Sequence, residues 1–269
     1  MNLQNEVHTF AVCAYKESPF LEECILSLVN QSTKSNIIMS TSTDNEFIRG
    51  LSVKYDIPLY INPGKGDMQG NWNFAYGMVK TPFVTICHQD DYYYPEFAGH
   101  ILGGIAKYKD IIMMHTNYSD VVNGRILKTN LNKRIKSFIN FPVRFQFLAR
   151  HAFFRKLALS FGNTICCPSV TYNKQIVGES PFHSKLAMAV DWELFYDLAA
   201  KKGTFVYYMK PLTCKRLHID SETNETIQNG ARYNDDVAMF SKMWPRPLVK
   251  IIVRFYKKSY TINDFSKIG

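Results

Sequence analysis

FVTICHQDDYYYP, residues 83–95, holds the strongest local signal in this chain. Phe83 to Cys87 has the length and composition of a buried strand, and it ends abruptly in His88, Gln89, Asp90 and Asp91. Two adjacent carboxylates with no Lys or Arg close by in sequence place negative charge where a sheet opens to solvent. Oxygen ligands of this kind suit Mg²⁺ or Mn²⁺, which keep waters and bridge to the oxygens of a substrate diphosphate. Asp90 and Asp91 can equally cap a turn or the helix expected near Pro95, and these residues alone do not separate the two roles.

The preceding eighty residues repeat the same construction. Apolar runs at His8–Ala14, Asn36–Ser40 and Ile57–Ile61 read as strands, and helical patterns cover Glu17–Asn30, Asn45–Tyr55 and Asn71–Lys80. In the first of these, Ser18 is the expected N-cap, with Pro19 at the first helical position. Alternation of this kind implies β-α-β units and an α/β, Rossmann-like, mostly parallel sheet flanked by helices. Ligands of open α/β sheets bind beyond the carboxyl ends of the strands. Here those ends carry Ala14, Tyr15, Lys16 and Glu17; Ser40, Thr41 and Ser42; Asn62 to Gly66, including Lys65; and His88 to Asp91. Four polar loops are expected to face one crevice.

Further along, Ile111–Thr116, Thr164–Tyr172 and Gly203–Tyr208 read as strand regions, and Asn130–Leu159 and Leu186–Lys201 as helical. AVDWELFYDLAAKKG, residues 189–203, opens on Asp191 and buries a stripe of Trp192, Phe195, Leu198 and Ala199. An acidic first turn suits the helix dipole, and a carboxylate there is also available as a general base. In KRLHIDSET, residues 215–223, His218 stands among polar residues, where a neutral imidazole can bind Mn²⁺ or touch a phosphate. Lys215 and Arg216 either meet the diphosphate or are solvated surface charges.

With 269 residues, 46% of them hydrophobic, the chain can bury a full core in one globular domain. Six cysteines without C-x-x-C spacing point to a reduced, cytosolic setting. The start MNLQNEVHTF has neither the basic nor the apolar part of a signal peptide, and no apolar run approaches the ~18–20 residues of a membrane span. The expectation is a soluble or peripheral protein.

The net charge of +9 is unevenly placed. No acid occurs between Asp120 and Glu179, a segment with ten Lys and Arg residues, and none between Asp236 and Asp264, a segment with six. Half of the chain's 32 basic residues lie in these two stretches, which therefore suit anions such as lipid head groups or phosphates. The first is also rich in phenylalanine. In the second, Leu248–Tyr260 forms a basic amphipathic helix with Val249, Ile252, Val253 and Tyr256 on one side; it either packs on the core or lies on an anionic membrane. A dinucleotide enzyme is disfavoured because CAYKES stands where G-x-G-x-x-G would follow the first strand. A non-catalytic basic module that binds membrane or nucleic acid leaves Asp90, Asp91, Asp191 and His218 without a shared purpose, so no nucleic-acid partner is expected.

Taken in order, strand-CAYKE-helix, NPGKGDMQGNWNFAYGMVKT, FVTICHQDDYYYP, GNTICCPS, AVDWELFYDLAAKKG and RLHIDSET resemble the family 2 glycosyltransferases of the GT-A fold, over roughly residues 8–223. The resemblance implies a metal-assisted, inverting transfer of a sugar from a nucleotide-diphosphate donor, UDP-sugar first, to a hydroxyl of a glycan or lipid-linked acceptor. It makes Asp191 the catalytic base and Asp90, Asp91 and His218 the metal residues, with Mn²⁺ or Mg²⁺ as cofactor. It assigns the nucleotide-sugar to Ala14, Tyr15, Glu17, Thr41, Ser42, Lys65, Asn71, His88, Gln89 and Asp90. His88 replaces the first carboxylate of the family's D-x-D-D-x-x-x-P pattern, and Ser40-Thr41-Ser42 replaces the acid often found after the second strand. The implied division is a GT-A domain at 1–223, with a nucleotide half to about 120 and an acceptor half beyond it, followed by a helical extension at 224–269. The implied setting is bacterial surface-polysaccharide assembly, in the cytoplasm or peripherally on the inner face of the membrane.

Overall fold

The computed structural model describes residues 6–64, 66–127, 131–218 and 231–256. Strands β1 (His8–Ala14), β2 (Asn36–Thr41), β3 (Leu59–Ile61) and β4 (Phe83–His88) pair in parallel in the order 3-2-1-4. The helices between them are α1 (Leu21–Val29), α2 (Glu46–Lys54) and α3 (Met68–Met78). Side chains alternate across a strand, and β1 is covered on both faces, which is why its sequence reads as a continuous apolar run. Phe10, Val12 and Ala14 pack with Leu21, Cys24 and Ile25 of α1 and Ile48 and Leu51 of α2. Ala11 packs on the other side with Trp72, Ala75 and Tyr76 of α3.

The sheet continues through β8 (Val170–Asn173), which runs antiparallel between β4 and β6 (Ile111–Val122). β6 then pairs in parallel with β9 (Thr204–Arg216), and β9 pairs antiparallel with the two-residue β5 (Tyr92–Tyr93). The short β7 (Arg125–Ile126) closes a hairpin on β6. The α/β, mostly parallel architecture read from the sequence is the one observed.

Several element bounds differ from the expectation. Helix α1 begins at Leu21, with Phe20 rather than Ser18 at its N-cap; the Ser18 hydroxyl turns toward the crevice instead. Helix α3 begins three residues early because Asp67 caps it, accepting the Gly70 N–H at 2.6 Å. Residues 164–169 are not strand: Pro168 lies in a 3-10 turn over Cys167–Ser169 that precedes β8. The basic segment breaks into α5 (Leu131–Asn140), a 3-10 turn at Phe141–Arg144 with Pro142 in its first turn, α6 (Gln146–Ala149) and α7 (Ala152–Leu159). Helix α4 (Phe97–Lys107) follows β5, α8 (Lys174–Val177) follows β8, and α9, which carries Asp191, spans only Val190–Leu198. All six cysteines are free thiols.

Two helices close the described chain, α10 (Ala231–Met243) and α11 (Arg246–Tyr256). Val249 and Val253 of α11 are buried in the core beside Met239 and Phe240 of α10, and the Tyr256 ring meets Trp192 and Phe240. The apolar stripe expected to face either core or membrane is therefore packed on the core. Among the described residues, no helix is long and apolar enough to cross a membrane.

Arg155 in α7 fastens α6, α7 and the end of α9 together. Its buried guanidinium has no carboxylate partner among the described residues and donates to the carbonyls of Ala149 (2.7 Å), Ala199 (3.1 Å), Lys201 (2.6 Å) and Gly203 (2.6 Å). It thus satisfies the end of α9, where carbonyls lack helical partners and the dipole favours a cation. Replacing Arg155 with Met keeps the stem but orphans these acceptors. We expect a loss of about 2–5 kcal/mol of stability, measured by urea unfolding; a change below about 0.5 kcal/mol would show that water satisfies the carbonyls instead.

Candidate functional site

Parallel pairing sets the carboxyl ends of β1 to β4 in one row. Ala14 is opposite Thr41, Thr41 is opposite Ile61, and Cys13 is opposite His88. Past these ends the loops hold one another by hydrogen bonds. The Tyr15 N–H donates to Gln89 Oε1 (2.8 Å) and Gln89 Nε2 returns to the Tyr15 carbonyl (3.1 Å). Lys16, with φ of 54°, turns its N–H to Thr43 Oγ1. Asn62 Nδ2 donates to Asn71 Oδ1 (2.9 Å), which ties the β3 end to α3.

Gly66 lies so close to Ser42 that an added Cβ would stand 2.3 Å from the Ser42 hydroxyl. That hydroxyl is buried and has no hydrogen-bond partner among the described residues, and the same holds for Nε2 of His88. Both atoms lie among the residues assigned to the nucleotide. Tyr15 and Glu17 are exposed at the rim, whereas Lys65 lies outside the described residues.

The two adjacent carboxylates point to different partners. Asp90 accepts from the Ser18 hydroxyl through Oδ1 (3.1 Å), and its Oδ2 lies 3.4 Å from His218 Nε2. Asp91 is buried; its Oδ1 accepts the Arg216 N–H at 2.9 Å, and its Oδ2 is 3.7 Å from His88 Nδ1. Arg216 also donates from Nε to the Asp90 carbonyl (3.0 Å), pairs with Glu23, and covers the Phe20 ring at 4.3 Å. So Asp91 and Arg216 join the ends of β4 and β9, and Asp90 faces the crevice with His218. The His88 ring stacks on Trp72, with centroids 5.0 Å apart and 11° between planes.

On the far side, Asp191 occupies the first turn of α9. Asn163 Nδ2 donates to its Oδ2 (2.9 Å) and the Trp192 N–H to its Oδ1 (2.8 Å). Burial raises the Asp191 pKa against the lowering effects of Arg232, Asn163 and Lys215. The α9 N-terminus is itself held by Asp235 of α10, which accepts the N–H groups of Met188 (2.6 Å) and Ala189 (3.1 Å). Ser18, Asn163, Arg232 and Asp235 were not among the expected site residues. Ser18 read as a cap, Asn163 lay unassigned within GNTICCPS, and Arg232 and Asp235 fall in the segment read as an appendage.

Electrostatics link the two ends of the crevice. Lys215 acts on His88, Asp91 and Asp191 alike, so these groups share one field. Burial lowers His88 to about 4, opposed by Asp90. The Lys136 ammonium is pushed down to about 8 by burial and by Lys215 and Arg232. Lys136 of α5, Lys215 of β9 and Arg232 of α10 thus lie within electrostatic reach of one another, and Lys215 and Arg232 also reach Asp191.

Among the described residues no group of three or more His, Cys, Asp or Glu side chains gathers as a metal cage. The Asp90–His218 pair nevertheless fits Mn²⁺ or Mg²⁺. Such ions take one or two protein ligands and fill their remaining positions with water and substrate phosphate, and imidazole with carboxylate is a compatible donor pair.

Burial raises Asp91 to about 7, so its proton is held more tightly in the folded chain than in the unfolded one. A group of this kind stabilises the fold fully below its unfolded pKa of about 4 and loses that contribution as pH rises through about 7. Asp91→Asn keeps an oxygen for the Arg216 N–H and removes the titration. Urea unfolding between pH 5 and 8 should show a smaller decline in the variant; identical pH profiles would place the Asp91 pKa in the ordinary carboxylate range.

The family model of glycosyl transferase family 2 matches residues 9–170, more than half of the chain. No protein of curated function matches the sequence. Solved structures share the fold at low identity. The Staphylococcus aureus TarS 1–349 structure in complex with UDP is 13% identical with a TM-score of 0.61, over 97% of this chain and 74% of that one. The same protein with UDP-GlcNAc gives 14% and 0.57, over 97% and 73%. A mannosyltransferase from Pyrobaculum calidifontis, PcManGT, in complex with GDP-Man and Mn²⁺, gives 14% and 0.58, over 92% and 68%.

Proposed function

Because the chain belongs to glycosyl transferase family 2, and is thus a glycosyltransferase, we propose that it moves a hexose from a UDP-sugar onto a hydroxyl of a glycan or lipid-linked acceptor, with inversion. What supports this reading is that one cation, Lys215, lies within electrostatic reach of His88 and Asp91 at the end of β4 and of Asp191 at the start of α9. UDP is favoured over other nucleotides by the TarS complexes, although PcManGT holds GDP-Man. Residues 1–223 form the GT-A catalytic unit in this reading, and 224–269 the helical extension. The setting is bacterial surface-polysaccharide assembly at the inner face of the membrane.

The nucleoside lies across the ends of β1 to β4, against Ala14, Tyr15, Thr41, Ser42 and Asn71, with Glu17 and Gln89 at the rim. The orphaned atoms of Ser42 and His88 supply polar contacts there. Asp90 and His218 hold the divalent ion, with Asp91 behind them fixing the loop rather than coordinating. When bound, that ion neutralises charge on the departing diphosphate. Lys215, which acts on both His88 and Asp91, adds positive charge beside them that costs no reorganisation as the bond to the sugar breaks.

Asp191 takes the proton of the acceptor hydroxyl. Asn163 and the Trp192 N–H fix its two oxygens, so its remaining lone pairs have a defined direction. Burial moves its pKa toward the working pH, which favours a general base. Attack opposite the leaving diphosphate, through an oxocarbenium-like transition state, inverts the anomeric centre.

Asp191→Asn preserves size and keeps one acceptor oxygen, for the Trp192 N–H, while its amide NH2 replaces the oxygen that faces Asn163 and cannot accept a proton. Transfer should fall about 10²- to 10⁴-fold, while UDP affinity and melting temperature stay unchanged. The rising limb of kcat against pH, centred above the usual carboxylate range, should vanish with it. Turnover near the wild-type rate would remove Asp191 from the base role.

A further inference from the structure

We propose that the short helices α5 to α7, with the outer edge of α11, form a docking surface for an anionic lipid bilayer. Phe138, Phe147, Phe153 and Phe255 are 79%, 67%, 68% and 66% exposed. An aromatic side chain carries 150–250 Å² of surface, so this is a large apolar area left in water. The rings are not scattered singly. Phe141, Phe145 and Phe147 form a chain with centroid spacings of 5.4 and 6.0 Å, and Phe138 joins Phe141 along one open groove. Large contiguous apolar surface on a folded protein marks an interaction site.

The break at Pro142 explains how so many rings reach the outside. Helix α5 ends at Asn140, and each short piece after it starts a new direction, so Phe141, Phe145, Phe147 and Phe153 are presented by three successive elements. The core is meanwhile served by Val143, Ala149, Ala158 and Leu159 of the same segment. Helix α11 repeats this division. Its Val249 and Val253 are buried, whereas Leu248, Ile251 and Phe255 are exposed, with Lys250 and Arg254 between them. Behind these faces α7 and α11 are adjacent: at Gly162, just past α7, an added Cβ would stand 2.6 Å from the Tyr256 ring.

Charge selects the occupant. Arg134, Arg144 and Arg150 are exposed on the first region and Arg246, Lys250 and Arg254 on α11, and neither the segment between Asp120 and Glu179 nor α11 contains an acid. Rings without carboxylates among them, interspersed with Lys and Arg, match a bilayer interface: the rings enter the acyl boundary and the cations meet lipid phosphate. The surface also borders the acceptor side of the crevice, since Asn163, which holds Asp191, follows α7 directly. A hydroxyl carried on a lipid would then arrive next to the base; this last step rests on the transferase reading, whereas the docking does not.

The test is vesicle flotation of the full chain, with phosphatidylcholine alone and with phosphatidylglycerol added, against a single-stranded oligonucleotide as competitor. Binding is expected only with phosphatidylglycerol, weakened by salt and indifferent to the competitor. Phe147→Ser/Phe153→Ser and Ile251→Ser/Phe255→Ser should each reduce the bound fraction at least about tenfold, with UDP-sugar hydrolysis and melting temperature unchanged. Absence of binding to charged vesicles, undiminished binding in both variants, or preferential capture of the oligonucleotide would overturn the assignment. None of these outcomes touches the transferase reading, which fails only if the chain neither binds nor turns over nucleotide-sugar.

Discussion

Everything at the crevice depends on how the ends of β4 and β9 are tied. These strands are not neighbours in the sheet, and the tie between them is a buried carboxylate: Asp91 accepts the Arg216 N–H while the Arg216 side chain returns to the Asp90 carbonyl. A carboxylate removed from water is costly unless it is hydrogen-bonded. Satisfying Asp91 therefore fixes both strand ends, and the peptide that follows His88 and Gln89 has to present Asp90 outward. His218, two residues beyond Arg216, is brought to Asp90 by the same tie. One buried acid thus orders the exposed acid beside it.

The surroundings of Asp191 are built by a different device, the closing of the chain's last helices onto α9. Asp235 satisfies the backbone donors that open α9, Arg232 pairs with Asp236 and acts on Asp191, and Tyr256 stacks on Trp192. Helix α9 is short, and its start is where Asp191 sits. Holding that start from the chain's last helices gives Asp191 a fixed position that nine residues of helix would not secure alone. The terminal helices are in this sense part of the site.

Much of this was legible in the sequence because the parallel half of the sheet is buried on both faces, and buried strands between amphipathic helices leave a strong pattern in β1 to β4. Their polar ends, Ala14-Tyr15, Thr41-Ser42 and His88 to Asp91, follow from strand direction alone. Less was legible where partners are distant in sequence. Ser18 obeys the rule for a helix cap, yet its hydroxyl goes to Asp90, 72 residues away. Asp90 and Asp91 look alike in sequence, and only the arrival of Arg216 distinguishes them. In α11 the stripe of Val249, Ile252, Val253 and Tyr256 follows from periodicity, but periodicity could not say whether that stripe meets the core or a membrane.

The most direct measurement is titration calorimetry of UDP against the wild-type chain and Asp90→Asn, each with Mn²⁺ and with chelator. Asp90 is partly exposed and is not the strand tie, so the variant should fold. If the crevice gathers metal and diphosphate at Asp90, Mn²⁺ should tighten UDP binding to the wild type at least about tenfold, or ~1.4 kcal/mol, and the variant should lose that gain while keeping the metal-free affinity. Equal Mn²⁺ enhancement in both proteins would contradict it.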